Sequence, residues 1–174
     1  MIKLEKKESI YFLTMDAGEN RWNTTFVREI AKALDTIEDD EGPGALITSA
    51  TDSKFFSNGL DLDWMQAPED YPDGGDREVF GEEFMYLMGR FITLPIPTIC
   101  ALNGHTFGAG FMFALSHDFR IMREDRGFLC ANEMQLGLPI PRPELALFKH
   151  KIPANAFFET CLLYTSPSPR DNKA

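Results

Sequence analysis

The sequence predicts an α/β fold, a parallel sheet with crossover helices. Apolar strand-like runs alternate with segments of helical periodicity, and two of the runs lead into glycine-containing turns that open helices. A composition of 44% hydrophobic and 25% charged residues over 174 positions is that of a folded globular chain, and the length matches about one domain.

Ile2 to Lys7 and Ser9 to Met15 carry Ile, Tyr, Phe and Leu in weak alternation and predict a strand hairpin. Thr24 or Thr25 is placed to cap a helix running to about Thr36, with Phe26, Ile30, Ala33, Leu34 and Ile37 on one face. Glu38 to Glu41 reads as a solvated turn, and Gly42-Pro43-Gly44 opens a buried strand at Ala45 to Thr48. Pro68 to Asp76 is a polar loop expected to be mobile. Phe80, Phe84, Leu87, Met88 and Phe91 share a helical face, and Pro95-Ile96-Pro97 ends that helix. Thr98 to Leu102 is a second buried strand, and Gly108-Ala109-Gly110 starts a helix through about His117. Phe119 to Arg123 and Gly127 to Ala131 are two further short strands, and Ala154 to Leu163 reads as an amphipathic helix. The polar Thr165 to Ala174 run has no periodicity and reads as a disordered or foreign tail. No internal repeat is evident in the sequence.

Seventeen Lys and Arg against 27 Asp and Glu leave a net charge of −10. Such a chain repels nucleic acid and anionic lipid, so no nucleic-acid partner is expected. No apolar run reaches the length that spans a bilayer, and no membrane insertion is expected. MIKLEKKES lacks an apolar core, so no targeting signal is visible. Cys100, Cys130 and Cys161 are odd in number and set among apolar residues, which reads as buried, reduced thiols. No His, Cys and Asp spacing suggests a metal site.

The chemistry-bearing candidates lie in three segments. Ser57-Asn58-Gly59-Leu60-Asp61-Leu62 follows the Leu46 strand, and Asn103-Gly104-His105-Thr106-Phe107-Gly108-Ala109-Gly110 follows the Thr98 strand. At the carboxyl edge of a parallel sheet, both turns would leave backbone N–H groups free for an anion or a polarised carbonyl. Tight helix-on-strand packing accounts for either turn equally well. Phe111-Met112 follows Gly110 where a phosphate loop needs Lys-Ser/Thr, and two glycines fall short of a dinucleotide fingerprint. In Ala131 to Pro141, Glu133 stands alone among apolar neighbours. It is either a surface or capping glutamate, or a general base whose pKa apolar surroundings raise. His105 is read as a ligand contact or a turn residue, and His117 as a helix-end residue favoured by the dipole.

Taken together, these segments resemble the crotonase superfamily of enoyl-CoA hydratases and isomerases over roughly Met1 to Pro153. Phe56 to Leu62 resembles its F-S-A-G-x-D-L turn, and Thr98 to Gly104 with Gly108 to Gly110 resembles P-T-I-A-A-x-N-G…G-G-G. Asn103-Gly104-His105, Met112 to Asp118 and Gly137 to Pro141 are closest to the plant-like Δ3,Δ2-enoyl-CoA isomerase branch.

The resemblance implies a ββα superhelix with its C-terminal helical part truncated: residues 1–153 as the core, 154–164 as the start of the helical region and 165–174 as the tail. It implies an oxyanion hole from the backbone N–H groups of Leu60 and Ala109, and a CoA path along Asn58, Gly59, Leu60, Asp61 and Leu62. Asn132 would face the acyl group, and Glu133 would be the base. Hydratases carry a second glutamate where this chain has Met112. One carboxylate suffices for moving a double bond, so the implied reaction converts 3-enoyl-CoA to 2-enoyl-CoA in fatty acid β-oxidation, with Glu133 taking the C2 proton and returning it at C4. A hydratase or other crotonase reaction, or a non-catalytic acyl-CoA-binding homologue, are the alternatives. No cofactor is implied beyond the CoA of the substrate. A homotrimer and a peroxisomal or mitochondrial location complete the family picture. Arg21 and Lys54 are candidate phosphate contacts. Phe157, Phe158, Cys161 and Leu162 form an apolar face expected to favour association.

Overall fold

The computed structural model describes residues 1–67, 74–131, 133 and 137–162, with the side chains of residues 158, 159, 161 and 162 excepted. Asn132, the 165–174 tail, and the side chains of Phe158, Cys161 and Leu162 therefore lie outside the described residues.

Five strands form the main sheet. β1 (Ile2–Lys7) pairs antiparallel with β2 (Ile10–Met15), and β3 (Ala45–Ala50), β5 (Thr98–Leu102) and β7 (Phe119–Met122) extend it in parallel in the order β1-β2-β3-β5-β7. The predicted hairpin and parallel sheet are both present. A second sheet takes three short strands, β4 (Phe55–Ser57), β6 (His105–Phe107) and β8 (Leu129–Cys130), all parallel. Each of β3, β5 and β7 is thus followed by a partner in the small sheet, and the chain then enters helix. The repeat is one of structure, ββα, without a repeat of sequence.

Asn23, not Thr24 or Thr25, caps α1 (Thr24–Glu38). Its side-chain oxygen accepts from the Phe26 N–H at 2.9 Å, the cap geometry that a short amide supplies one residue before the helix. Phe26, Val27, Ile30, Ala33, Leu34 and Ile37 are buried, the face that the periodicity predicts. α3 (Phe80–Thr93) buries Phe84, Leu87, Met88 and Phe91 and stops before Pro95. Gly74 to Asp76 of the predicted mobile loop are tied down: the carbonyls of Gly74, Gly75 and Asp76 accept from the Thr25 N–H, the Trp64 indole N–H and the Thr24 hydroxyl. Residues 68–73 lie outside the described residues. α2 (Leu62–Gln66) and α5 (Arg142–Lys151) are helices that sequence periodicity misses, being short or opened by proline. α6 (Ala154–Leu162) agrees with expectation, and Phe157 packs towards Phe148 with ring centroids 6.5 Å apart.

α4 (Ala109–Ser116) is buried along its whole length and has no polar face. It packs against α3, α5, β4 and β6 and brings Phe113 against Trp22. The Trp22 ring meets Phe26, Phe84 and Phe113 edge-on, each at 5.0 Å, the offset geometry that the ring quadrupoles favour. His117, at the end of α4, is fully buried. Its Nδ1 lies 2.9 Å from the Phe113 carbonyl and its Nε2 2.8 Å from the Thr48 hydroxyl. A carbonyl only accepts, so Nδ1 carries the hydrogen and Thr48 donates to Nε2. Burial pushes this ring down to about 4. His117 is therefore a neutral strut between helix and sheet, not a cation on the helix dipole. Cys100 and Cys130 are buried, as expected.

Candidate active site

The two glycine turns rise from the small sheet. The first leaves β4 and the second leaves β6, its parallel neighbour, so they emerge side by side. A one-strand offset from the predicted attachment to β3 and β5 results, because three-residue strands leave too little pattern to be read. The turns touch. Gly59 has φ +82°, and a Cβ built there would stand 3.0 Å from the Phe107 carbonyl oxygen; one at Gly110 would stand 2.4 Å from the Ser57 side chain. Glycine is required at both positions, by backbone angle at the first and by close approach at the second.

Trp22 holds the first turn in place. Its N–H donates to the Gly59 carbonyl at 2.8 Å and its carbonyl accepts from the Asp61 N–H at 2.9 Å. The Leu60 N–H between them has no partner among the described residues. In the second turn Gly108 has φ 47° and ψ −120° and precedes α4. The Gly108 carbonyl accepts from Phe111 and Met112. The Ala109 N–H, in the first turn of α4, has no partner among the described residues, as helix geometry dictates. Ala109 is not among the residues of positive φ, so alanine costs nothing at this position.

Leu60 and Ala109 line one cavity of about 230 Å³ with Asn58, Gly59, Leu62, Gly108 and Glu133. Phe80, Phe84, Met112, Leu138 and Pro139 give it apolar walls, and Glu144 completes it. Of the sequence-predicted site residues, Asn58, Gly59, Leu60, Leu62, Ala109 and Glu133 are thus brought together. Asp61 is not. Its carboxylate caps α2 by accepting from the Trp64 N–H at 3.2 Å, and it borders a separate polar cleft with Glu19, Arg21 and Glu29. Asn132 lies outside the described residues. Arg21 also departs from expectation. It pairs with Glu19 at 2.9 Å and Asp63 at 2.7 Å, so its charge is already matched. Lys54 rests its ammonium 4.6 Å above the Phe55 ring. His105 stacks among Phe55, Phe107 and Phe128, which makes it a packing residue of the small sheet.

Glu133 brings one carboxylate oxygen, Oε2, into burial with no hydrogen-bond partner among the described residues. Burial raises its pKa above the ordinary carboxylate value, as desolvation of a charge requires. Glu144, on the first turn of α5, is the residue that the sequence reading overlooks. It is only 7% exposed. Burial first, and the Glu133 charge second, push it up to about 7. The only sequence signal for it is a glutamate three residues beyond Pro141, in a segment without helical periodicity.

Glu144 and His117 act on stability with opposite signs. A carboxyl whose pKa rises on folding is bound to its proton more tightly in the native state, so its contribution falls as pH climbs from about 4.5 to about 7. His117, lowered to about 4, contributes less as pH falls below its ordinary 6.5. Glu144→Gln removes the first effect alone. In urea titrations the variant should match the parent chain near pH 5 and exceed it in stability at pH 8. Equal stability at pH 8 would show that Glu144 is not desolvated.

The sequence profile of the enoyl-CoA hydratase/isomerase family matches residues 5–173. The chain belongs to the enoyl-CoA hydratase/isomerase family. It is 36% identical over 165 residues to the peroxisomal enoyl-CoA delta isomerase 2 of Arabidopsis thaliana, covering 94% of this chain and 69% of the relative. It is 35% identical over 155 residues to enoyl-CoA delta isomerase 3 of the same plant, covering 87% of this chain and 64% of the relative. The chain thus spans about two thirds of the length of these relatives. Among solved structures, a probable enoyl-CoA hydratase from Mycobacterium tuberculosis superposes with a TM-score of 0.81 at 22% identity, over 98% of this chain and 71% of its own. An enoyl-CoA hydratase from Geobacillus kaustophilus gives 0.83 at 21% identity, over 98% and 63%. The fold is that of the crotonases, as the turn motifs imply, and the family spans both hydratase and isomerase reactions.

Proposed function

We propose that this protein is an enoyl-CoA isomerase, moving the double bond of a 3-enoyl-CoA thioester to the 2-position. One observation carries the reading: a desolvated Glu133 carboxylate, its Oε2 without a partner among the described residues, shares an apolar cavity with the backbone N–H groups of Leu60 and Ala109, which have none there either. A thioester carbonyl bound to both donors acidifies its C2 hydrogens, because the negative charge formed on deprotonation is delocalised onto that oxygen. Loss of one such donor costs about 3–4 kcal/mol of barrier in comparable sites, so the pair is the largest single contributor. Glu133 takes the C2 proton, the double-bond electrons shift, and a proton is returned at C4. The raised pKa brings Glu133 closer to the optimum for a base working near neutral pH. The named delta isomerases among the relatives support this reaction.

Hydration of 2-enoyl-CoA is the second reading, and Glu144 favours it by giving the cavity two carboxyls. The walls oppose it: Met112, 3% exposed, stands on α4 facing the same space, and with Phe80, Phe84 and Leu138 it gives a water no further polar partner. Spectroscopic assays with 3-enoyl-CoA and, separately, 2-enoyl-CoA decide between them. Isomerisation well ahead of hydration is expected. Hydration as fast as isomerisation would overturn the reading, and turnover of neither would favour a non-catalytic acyl-CoA-binding protein.

The same reading includes an acyl-CoA partner with no cofactor beyond the substrate's own CoA. It also includes a peroxisomal or mitochondrial setting, supported by the relatives' names, and a homotrimeric assembly. Phe119 and Ile121, both more than half exposed on the edge strand β7, are apolar surface that a second copy could cover. Light scattering on the chain reads the assembly directly.

A further inference from the structure

We propose that Glu144 is a second proton-transfer residue of this site, delivering to C4 the proton that completes the isomerisation while Glu133 removes the one at C2. The inference rests on the isomerase reading and deepens it. Glu133 and Glu144 enter the cavity from different parts of the chain: Glu133 from the segment after β8, Glu144 from the first turn of α5.

A helix N-terminus favours a carboxylate, but a surface glutamate would satisfy that dipole. Glu144 is instead more than nine-tenths buried and lines the cavity beside Glu133. Such an arrangement is costly unless the group is used or neutral. Its surroundings keep the proton on. α4, packed against α5, carries no titratable side chain from Ala109 to Ser116. On α5 itself, Arg142 is exposed, and Lys149, His150 and Lys151 stand in the last turn. Among α6 residues with described side chains, Ala154 to Phe157 and Thr160, none titrates. The charged group that acts on Glu144 is Glu133, and it raises the pKa further. A protonated Glu144 beside an ionised Glu133 avoids two like charges in one apolar-walled cavity.

The steps balance. Ionised Glu133 accepts the proton from C2, and the C2–H electrons pass into a dienolate spread over the thioester oxygen, C2 and C4. The dienolate takes the Glu144 proton at C4, the C2=C3 bond forms and the carbonyl is restored. Glu133 is then protonated and Glu144 ionised, and transfer of one proton between them, directly or through solvent, restores the starting state.

The test is a single turnover in H2O with 3-enoyl-CoA deuterated at C2. A single shuttling base carries deuterium from C2 to C4, whereas delivery from Glu144 places light hydrogen there. The parent chain should give light C4. Glu144→Gln should lose about 10–100-fold in rate, less than loss of the base because Glu133 can still shuttle. Its remaining product should carry deuterium at C4, and the alkaline fall of the parent's pH profile should disappear. Glu144→Asp keeps a carboxyl and should give light C4 at reduced rate. Deuterium at C4 from the parent chain or from Glu144→Asp, or a Glu144→Gln variant identical to the parent in rate and label, would overturn the proposal while leaving the isomerase intact. A parent chain that moves no double bond would overturn the isomerase reading and this proposal with it.

Discussion

Glu133→Gln should reduce isomerase turnover by about 10²–10⁴-fold, the usual range for loss of a general base, while affinity for an acyl-CoA stays near that of the parent. The amide matches the carboxylate in size and shape, so the cavity walls and the Leu60 and Ala109 N–H groups keep their places. What is lost is the ability to accept a proton from C2. Rate and binding should therefore separate: kcat collapses, and a dissociation constant measured by calorimetry for a saturated acyl-CoA barely moves. The pH profile gives an independent check. Glu133 works only when ionised, and burial raises its pKa. The acidic limb of kcat/KM should thus lie above the ordinary carboxylate range in the parent chain, and any residual activity of the variant should lack that limb. A loss of less than tenfold would mean that another group removes the proton, and Glu144, in the same cavity, would be the first to test.

Most of the main sheet was legible because its strands are long enough to bury a pattern. β3 and β5 read as apolar runs bounded by Gly or Pro, and α1 and α3 declare themselves through the spacing of Phe26, Ile30 and Leu34, and of Phe84, Leu87 and Phe91. The small sheet did not read as such. β4 and β6 have three residues each, too few for alternation to separate strand from turn, whereas β8 falls within the strand expected at Gly127 to Ala131. The glycine turns therefore leave β4 and β6, one strand later than alternation alone predicts, and still meet at one edge. α4 is marked in the sequence by its glycines and not by periodicity, since a helix buried all round has no polar face.

The site divides in the same way. Glu133, Leu60 and Ala109 are named from the resemblance of their segments to a family pattern, and the structure places all three around one cavity. Glu144 is not named by that resemblance, because its place in the cavity depends on α5 folding back over it, a long-range fact that no local spacing encodes. Asp61 shows what a motif does not encode: its side chain caps α2 and it borders the polar cleft.

Trp22→Ala should cost about 3–5 kcal/mol of folding stability, the range for deleting a large buried aromatic, and should disable the site as well. Trp22 is fully buried, with three rings packed edge-on around it. No neighbour can refill the space without moving α1, α3 or α4, because Phe26, Phe84 and Phe113 come one from each. Set against the roughly 5–15 kcal/mol that holds a typical domain together, such a loss places the variant near its unfolding threshold. The indole N–H adds a second effect. It donates to the Ser57 hydroxyl at 3.0 Å; that hydroxyl donates to the Asn20 carbonyl at 2.7 Å and accepts from the Gly59 N–H at 3.3 Å. The ring therefore fixes the turn that presents Leu60. Trp22→Phe separates the two effects, since it keeps an aromatic ring but leaves the Ser57 oxygen one donor short. In urea unfolding it should lose much less stability than Trp22→Ala, with the remaining deficit coming from the smaller ring and the missing hydrogen bond. Its kcat should still fall, because a Gly59 turn whose Ser57 anchor has lost the indole N–H lets the Leu60 N–H wander from the thioester oxygen. A Trp22→Phe variant with unchanged kcat would show that the backbone pairing of Trp22 with Gly59 and Asp61 positions the turn without help from the ring.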